Sequence, residues 1–394
     1  MNNIFPSKVT ESVPSIIREV MDRGATIPGF VSLAMGNPAK EAIPTEVILE
    51  SIREIISENP MAFLQYGPQV GYAPLLEWIK NYLVNSKNFR EDNKVLLIPG
   101  SGVGLGLMPR CFCNEGDEVY IDEFSFTNGI NAVKSAGAKA VSIKMDKDGM
   151  IPGELERYAK SGKGKYIYLI PNFHNPMGMT MSFERRKEIY EIAQKYDLLI
   201  YEDDPYGDIR FKGEHIPAIK SIDVDDRVIY AGSFSKTLSA GLRVGYLYVS
   251  DKFFKTMLAT KTSMDGQSPL FNQMIVYRSL QKLDFPEYIK GVSEIYGKKC
   301  EIMVNALRKY CKDKIKFVEP FGGMFIWIEL PEQVCGVEVF DKCIERGVGI
   351  VRSVGFATHF KNNPGNAFRL NYTFATDEDI EKGVKILGEV LHSI

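Results

Sequence analysis

Gly232-Ser-Phe-Ser-Lys-Thr-Leu-Ser-Ala-Gly-Leu-Arg-Val-Gly245 decides how this chain reads. It sets Lys236 among the hydroxyls of Ser233, Ser235 and Thr237, with Arg243 farther along. Just upstream, Val228-Ile-Tyr230 predicts a short apolar strand. A lysine that follows a buried strand, flanked by hydroxyls, is oddly polar for a core position. One reading is a solvated loop that happens to carry a lysine. The other is a nucleophilic amine that forms a Schiff base with a carbonyl. The serines and Arg243 would then hold a phosphate, the arginine by a charge-assisted fork. A carbonyl- and phosphate-bearing cofactor held by a lysine imine is pyridoxal 5'-phosphate. So short a motif leaves both readings open, and the rest of the chain must decide.

The same stretch resembles the lysine signature of class I aminotransferases, the fold-type-I enzymes that use pyridoxal phosphate. The resemblance runs from about Arg18 to Tyr372 and is nearest to the branch of 2-aminoadipate and kynurenine aminotransferases. It implies an α/β fold, with a large domain on a mostly parallel seven-stranded sheet and a smaller α+β domain. The implied boundaries are 1–40 for an N-terminal segment that joins the small domain and lines the active site, 41–285 for the cofactor domain, and 286–394 for the small domain.

The residue pattern points to the same class. Short apolar runs at Val95–Ile98, Glu118–Ile121, Ala140–Ile143, Tyr166–Ile170, Leu198–Tyr201, Arg227–Tyr230 and Val244–Val249 alternate with helical stretches, most clearly Ser182–Tyr196. Such alternation argues for a mostly parallel α/β sheet. Helices are expected from Ser15 to a stop at Gly24 and from Thr45, a candidate N-cap, to Ile56. Phe30–Ala34 reads as a short strand, and Lys252–Lys309 as largely helical with a break near Gly266–Pro269. Beyond Lys314 the pattern turns to α+β, with strands at Gly323–Glu329 and Phe368–Thr373 and helices at Cys335–Arg346 and Asp377–Leu391.

Several strand ends carry candidate chemistry. Gly100-Ser-Gly-Val-Gly-Leu-Gly106 follows a strand and opens a helix, but its spacing never gives the G-x-G-x-x-G dinucleotide fingerprint. Such a turn still offers backbone N–H groups to an anion, and the resemblance makes Ser101 and Gly102 part of a phosphate cup. Glu202-Asp203-Asp204-Pro205-Tyr206 puts acids where open α/β sheets bind ligands, although an acidic strand-end loop is often merely solvated. The cofactor's chemistry needs a carboxylate against the pyridine nitrogen. The resemblance gives that role to Asp203, with Asp204 the competing carboxylate and Tyr206 near the ring hydroxyl.

Asn175, in Pro171-Asn-Phe-His-Asn-Pro-Met-Gly178, is a turn signal by itself and a donor to the ring oxygen by resemblance; His174 reads as structural. Phe126 reads as a core residue or, by the resemblance, as a ring stacked on the cofactor. Arg369, inside an apolar strand, reads either as a polar-face residue or as a bidentate fork to a substrate carboxylate, and the resemblance favours the fork. The resemblance places Gly36 and Asn37 on the substrate pocket and sends Tyr66 across a dimer interface to the neighbour's phosphate, which implies a homodimer with shared active sites. It also makes Arg18 a partner for an acidic substrate side chain, against the plain reading of a helix-surface arginine.

The 394 residues carry 48 basic and 50 acidic side chains, a near balance without the basic footprint of a nucleic-acid or membrane-surface binder. Six scattered cysteines suit neither a disulfide framework nor paired zinc ligands, so no metal is expected and buried free thiols in a reducing cytosol are. No basic region followed by an apolar run opens the chain, and no apolar run reaches membrane-spanning length, which predicts a cytoplasmic protein. The expected activity is amino-group transfer from an L-amino acid (2-aminoadipate, glutamate, aromatic or branched) to a 2-oxo acid, 2-oxoglutarate by resemblance, with ping-pong kinetics. A carbon–sulfur lyase on the same cofactor apparatus is the alternative. A ligand-sensing regulator is remote, because too few residues precede Phe30 for a winged helix.

Overall fold

The computed structural model describes residues 4–10, 12–13, 15–359 and 365–394. Each of the seven apolar runs becomes a strand: β1 (Lys94–Ile98), β2 (Glu118–Asp122), β3 (Lys139–Ile143), β4 (Gly164–Leu169), β5 (Leu199–Asp203), β6 (Val228–Ser233) and β7 (Gly245–Val249). They form one seven-stranded sheet in the order β1-β7-β6-β5-β4-β2-β3. Strand β7 runs antiparallel to both neighbours and the other pairs are parallel. The C-terminal ends of β1, β2, β4, β5 and β6 therefore share one edge, the edge at which open α/β sheets place ligands.

Helices cover the sheet because its runs are apolar on both faces, as parallel sheets require. The helices through residue 306 are, in chain order, α1 (Ile16–Gly24), α2 (Thr45–Glu58), α3 (Ala73–Lys87), α4 (Ser101–Phe112), α5 (Thr127–Ser135), α6 (Pro152–Ala159), α7 (Phe183–Lys195), α8 (Asp251–Asp265), α9 (Leu270–Lys282) and α10 (Phe285–Ala306); α1 packs instead on Val348–Gly349 and Val351–Arg352, and α10 on the C-terminal helix Asp377–His392. The α8–α9 break falls where Gly266 and Pro269 put it. Ser15 caps α1, accepting from the Arg18 N–H. Thr45 does not cap α2: Pro44 holds that position and the Thr45 hydroxyl turns back to the Ile43 carbonyl.

Beyond α10, strands β8 (Lys316–Phe317), β9 (Phe325–Glu329), β10 (Val351–Arg352) and β11 (Ala367–Asn371) make an antiparallel sheet in the order β8-β9-β11-β10. It is covered by α11 (Gly336–Glu345) and α12 (Asp377–His392). The expected strand at Phe30–Ala34 shrinks to Val31–Ser32, which pairs in parallel with Val348–Gly349 and ties the N-terminal segment to this second sheet. Of the six cysteines, Cys300, Cys311 and Cys343 are buried, Cys111 and Cys113 are half-buried, and Cys335 is exposed, against the expectation of burial throughout. Among the described residues no helix is long and apolar enough to cross a membrane, and no cluster of His, Cys, Asp or Glu could hold a metal ion.

Candidate active site

Strand β6 delivers Ser233 at its last residue, and the chain turns so that Lys236 faces a cavity of about 250 Å³ at the shared sheet edge. The walls include Gly36, Ser101, Gly102, Phe126, Asn175, Asp203, Tyr206, Ser233, Ser235, Arg243 and Arg369. The loops after four strands and the start of α4 thus bring together most of the residues singled out in the sequence.

The Lys236 amine donates to the Gly36 carbonyl at 2.6 Å. Burial first, then the positive charges of Arg369 and Arg243, push it down to about 8. Near neutrality it therefore holds a far larger uncharged, nucleophilic fraction than an ordinary lysine, although the protonated form still dominates. The Arg243 guanidinium donates to Ser235 Oγ (3.3 Å), and the Ser235 N–H donates to Ser233 Oγ (3.1 Å). Arg243 holds a positive φ of 52°, a conformation that non-glycine residues enter at a cost and that clusters at functional sites. Its guanidinium lies against Gly100, where a Cβ would come within 2.3 Å of Nη2. Ser101 and Gly102 open α4 beside it, presenting first-turn backbone N–H groups.

The acidic run does not form a loop: β5 extends through Asp203. Alternation along the strand separates its acids. Glu202 faces away and accepts from the Ile219 and Lys220 N–H groups at 2.9 and 2.8 Å. Asp203 lines the cavity, 2% exposed, with Oδ2 accepting from Tyr168 Oη at 3.1 Å. Its Oδ1 is buried without a partner among the described residues. Desolvation dominates and pushes this carboxyl up to about 7. The competing Asp204 is engaged elsewhere, by Asn172 Nδ2 (2.9 Å) and Tyr230 Oη (2.8 Å).

Asn175 joins the two halves of the site. Its Nδ2 donates to Tyr206 Oη (3.4 Å) and its Oδ1 accepts from Arg369 Nη1 (2.9 Å). Arg369 Nη2 donates to the Ala34 carbonyl at 2.6 Å, and the guanidinium lies between the Phe325 and Phe356 rings at 4.2 and 4.7 Å. Burial lowers it to about 10, so it stays cationic at neutral pH. His174, read as structural, is buried with Nε2 3.3 Å from Asp122 Oδ2.

Three expected residues lie off this cavity. The Arg18 side chain is 83% exposed and pairs with Asp22 at 3.6 Å, while its neighbour Ile17 lines the wall. One helical step rotates the side chain by about 100°, which turns Arg18 outward. Asn37 is exposed, and its carbonyl accepts from Thr373 Oγ1. Tyr66 is 96% exposed. Tyr168 and Phe325 went unmarked in the sequence because each sits in an apolar run that reads as core, and Ile17 because it reads as part of an amphipathic helix's apolar face.

A larger groove of about 760 Å³ lies elsewhere, lined by Arg210, Lys212, Arg308, Glu301 and Glu319 among others. Glu319 pairs with both Lys212 and Arg308, so those charges satisfy one another, and no end of the large-sheet strands lines the groove.

The donor set fits pyridoxal phosphate. A buried carboxylate oxygen without a partner among the described residues, a lysine amine depressed toward neutrality and a serine–arginine pair at a helix start line one cavity. Fold and cavity together define a fold-type-I, pyridoxal-phosphate-dependent enzyme. The chain belongs to the aminotransferase class I and II family, which it matches over residues 28–387. It is 33% identical to aromatic-amino-acid aminotransferase 1 of Thermococcus litoralis, over 98% of this chain and 94% of that protein. It is 31% identical to 2-aminoadipate transaminase of Thermus thermophilus, over 96% and 94%. The solved kynurenine aminotransferase of Pyrococcus horikoshii, in complex with PMP, superposes with a TM-score of 0.93 at 31% identity, covering 99% of this chain and 97% of that one.

Proposed function

We propose that this aminotransferase moves an amino group from an L-amino acid with an aromatic or other apolar side chain to a 2-oxo acid, 2-oxoglutarate being the expected acceptor. The observation that carries the reading is Lys236: a depressed amine at a strand end, on the same cavity wall as Asp203, Arg243 and Arg369. When bound, pyridoxal phosphate supplies an exchangeable carbon–nitrogen bond and an electron-accepting ring.

The protein's own groups divide the work. Ser101, Gly102, Ser233, Ser235 and Arg243 would hold the phosphate. Asp203 would pair with the ring nitrogen, Tyr206 and Asn175 with the ring oxygen, and Phe126 would stack on the ring. Arg369 would take the donor's α-carboxylate in a bidentate fork, with Gly36 closing that side of the pocket. Neutral Lys236 Nζ would accept the proton from the donor's α-carbon and deliver it to the cofactor's aldehyde-derived carbon, acting as general base and then general acid. The segment 1–40, the cofactor domain 41–285 and the small domain 286–394 would meet at this cavity.

Side-chain preference follows from α1. Ile17 faces the cavity and Arg18 does not, so an apolar donor side chain meets an apolar wall. Arg18→Ala should leave turnover of aromatic donors with 2-oxoglutarate within about twofold, as expected for an exposed i,i+4 pair. A loss confined to glutamate and 2-aminoadipate would instead restore Arg18 as the specificity residue. Parallel double-reciprocal lines for donor and acceptor are expected of the two half-reactions, along with a borohydride-trapped adduct at Lys236. Intersecting lines or an unmodified Lys236 would contradict the assignment. Release of pyruvate and ammonia from cysteine without an acceptor would select the lyase reading.

A further inference from the structure

We propose that Tyr168 is a positioning residue for Asp203: its phenol holds one carboxylate oxygen so that the other faces the cofactor's ring nitrogen. This rests on the reading of Asp203 as the partner of that nitrogen. Tyr168 lies on β4, 1% exposed, and its hydroxyl donates to Asp203 Oδ2 at 3.1 Å. The other oxygen, Oδ1, is buried without a partner among the described residues, and Asp203 lines the cavity. The protein thus satisfies one oxygen of the carboxylate and leaves the second to a ligand, and a buried acceptor left unpaired is costly unless something occupies it.

The strand register explains the contact. Tyr168 pairs with Tyr201 across the parallel β4–β5 ladder, and Asp203 lies two residues on, on the same face. The ring above the carboxylate needs space that the sequence supplies at Gly129. A Cβ there would lie 2.3 Å from Tyr168 Cε1, so α5 rests directly on the tyrosine. That helix begins at Thr127, just after Phe126 on the cavity wall. One ring therefore sets both Asp203 and the start of the helix that follows Phe126.

The donor also acts on charge. Burial first, then the negative charge of Asp203, hold the phenol well above its ordinary range, so it stays an O–H donor across neutral pH. Desolvation pushes Asp203 up, the Tyr168 hydrogen bond pulls it down, and Asp204 pushes it up again. Removing the phenol hydroxyl favours the protonated acid, and a protonated acid supports a neutral rather than a protonated ring nitrogen.

The test uses holoenzyme carrying isotopically labelled pyridoxal phosphate, read by the NMR shift of the ring nitrogen and by the cofactor's dissociation constant. Tyr168→Phe keeps the ring and deletes the hydroxyl. The shift should move toward neutral pyridine, and cofactor affinity should fall about 10- to 100-fold, the range for a hydrogen bond to a charged group. Asp203→Asn, the control for the underlying reading, should move the shift further. If Asp203→Asn leaves the shift in place, the assignment of Asp203 falls. If Asp203→Asn moves it and Tyr168→Phe does not, the role of Tyr168 falls and the assignment stands. A lower melting temperature for Tyr168→Phe with shift and affinity unchanged would make the residue structural and overturn the proposal. Should Tyr168→Phe fail to fold, 3-fluorotyrosine at position 168, a stronger donor of nearly the same shape, should move the shift toward the protonated form, and an unmoved shift would overturn the proposal equally.

Discussion

Among the described residues, no carboxylate is one of the groups that shift the Lys236 amine. Its charged influences, Arg369 and Arg243, are both cationic, and burial adds to them, so the amine loses its proton more readily than an ordinary lysine. Only the neutral amine can condense with an aldehyde. The sign follows directly. Below about 8 the protonated form dominates, and each unit of pH gained raises the reactive fraction roughly tenfold until it levels off above that value. Stopped-flow capture of pyridoxal phosphate by the apoprotein should therefore speed up between pH 6 and pH 8 and flatten beyond; a capture rate flat across that span would contradict the depressed amine. At this scale the sequence was informative where chemistry demands a rare residue in a marked place. A lysine, an arginine or an acid beside an apolar strand stands out, and Lys236, Asp203 and Arg369 do lie on one cavity. Tyr168 was hidden because a tyrosine within Tyr166–Ile170 reads as core, and its partner Asp203 is a neighbour across strands. Ile17 and Arg18 show a different gap. The segment was recognisable, but adjacent residues on a helix diverge by about 100°, and only packing reveals which one turns inward.

At the scale of elements, every strand of the large sheet was visible as an apolar run, whereas strand order and the reversed direction of β7 were not. A run records burial on both faces and carries no mark of its neighbours. The extension of β5 through Glu202 and Asp203 was missed because acidic residues resemble a loop, and only their partners show them to be buried and engaged. The reversal of β7 has a consequence for the proposed phosphate cradle. It brings Gly245 opposite Ile98 and beside the start of α4. A Cβ at Gly245 would lie 2.8 Å from the Ser101 nitrogen and 3.0 Å from the Gly100 carbonyl carbon. Both are backbone atoms and cannot rotate away, so Gly245→Ala must displace the first turn of α4. Loss of one well-aimed donor to a charged group is worth about 1.5–3 kcal/mol. The variant should bind pyridoxal phosphate about tenfold or more weakly in a fluorescence titration, and inorganic phosphate should compete for the wild-type site more strongly than for the variant. Unchanged cofactor affinity would remove the α4 start from the cradle.

At the scale of the whole molecule, the second sheet and the N-terminal segment complete what the large sheet begins. Arg369 comes from β11, Gly36 and Ala34 supply carbonyls from the segment, and Val31–Ser32 ties that segment to Val348–Gly349. Tyr66 stays outside this assembly, in a region that a lone chain leaves unusually apolar. Met61 is 55% exposed, Leu64 65% and Tyr66 96%, and the Met61–Leu64 turn of helix has no buried residue among those described. Contiguous exposed apolar side chains of this kind mark interfaces. Gly67 donates its N–H to the Gln267 side chain, which anchors the loop at one end. If a second copy covers this patch and receives Tyr66 at its phosphate, as the sequence resemblance implies, each site draws Lys236 from one chain and Tyr66 from the other. Lys236→Ala and Tyr66→Phe homodimers would then both be impaired, the first essentially dead. A mixed dimer would combine them unequally: one site would carry both lesions, and the other would pair an intact Lys236 with an intact Tyr66. Refolding an equimolar mixture should consequently recover a substantial fraction of wild-type turnover, well above the average of the two separate preparations. Turnover equal to that average would mean that Tyr66 serves its own chain or none.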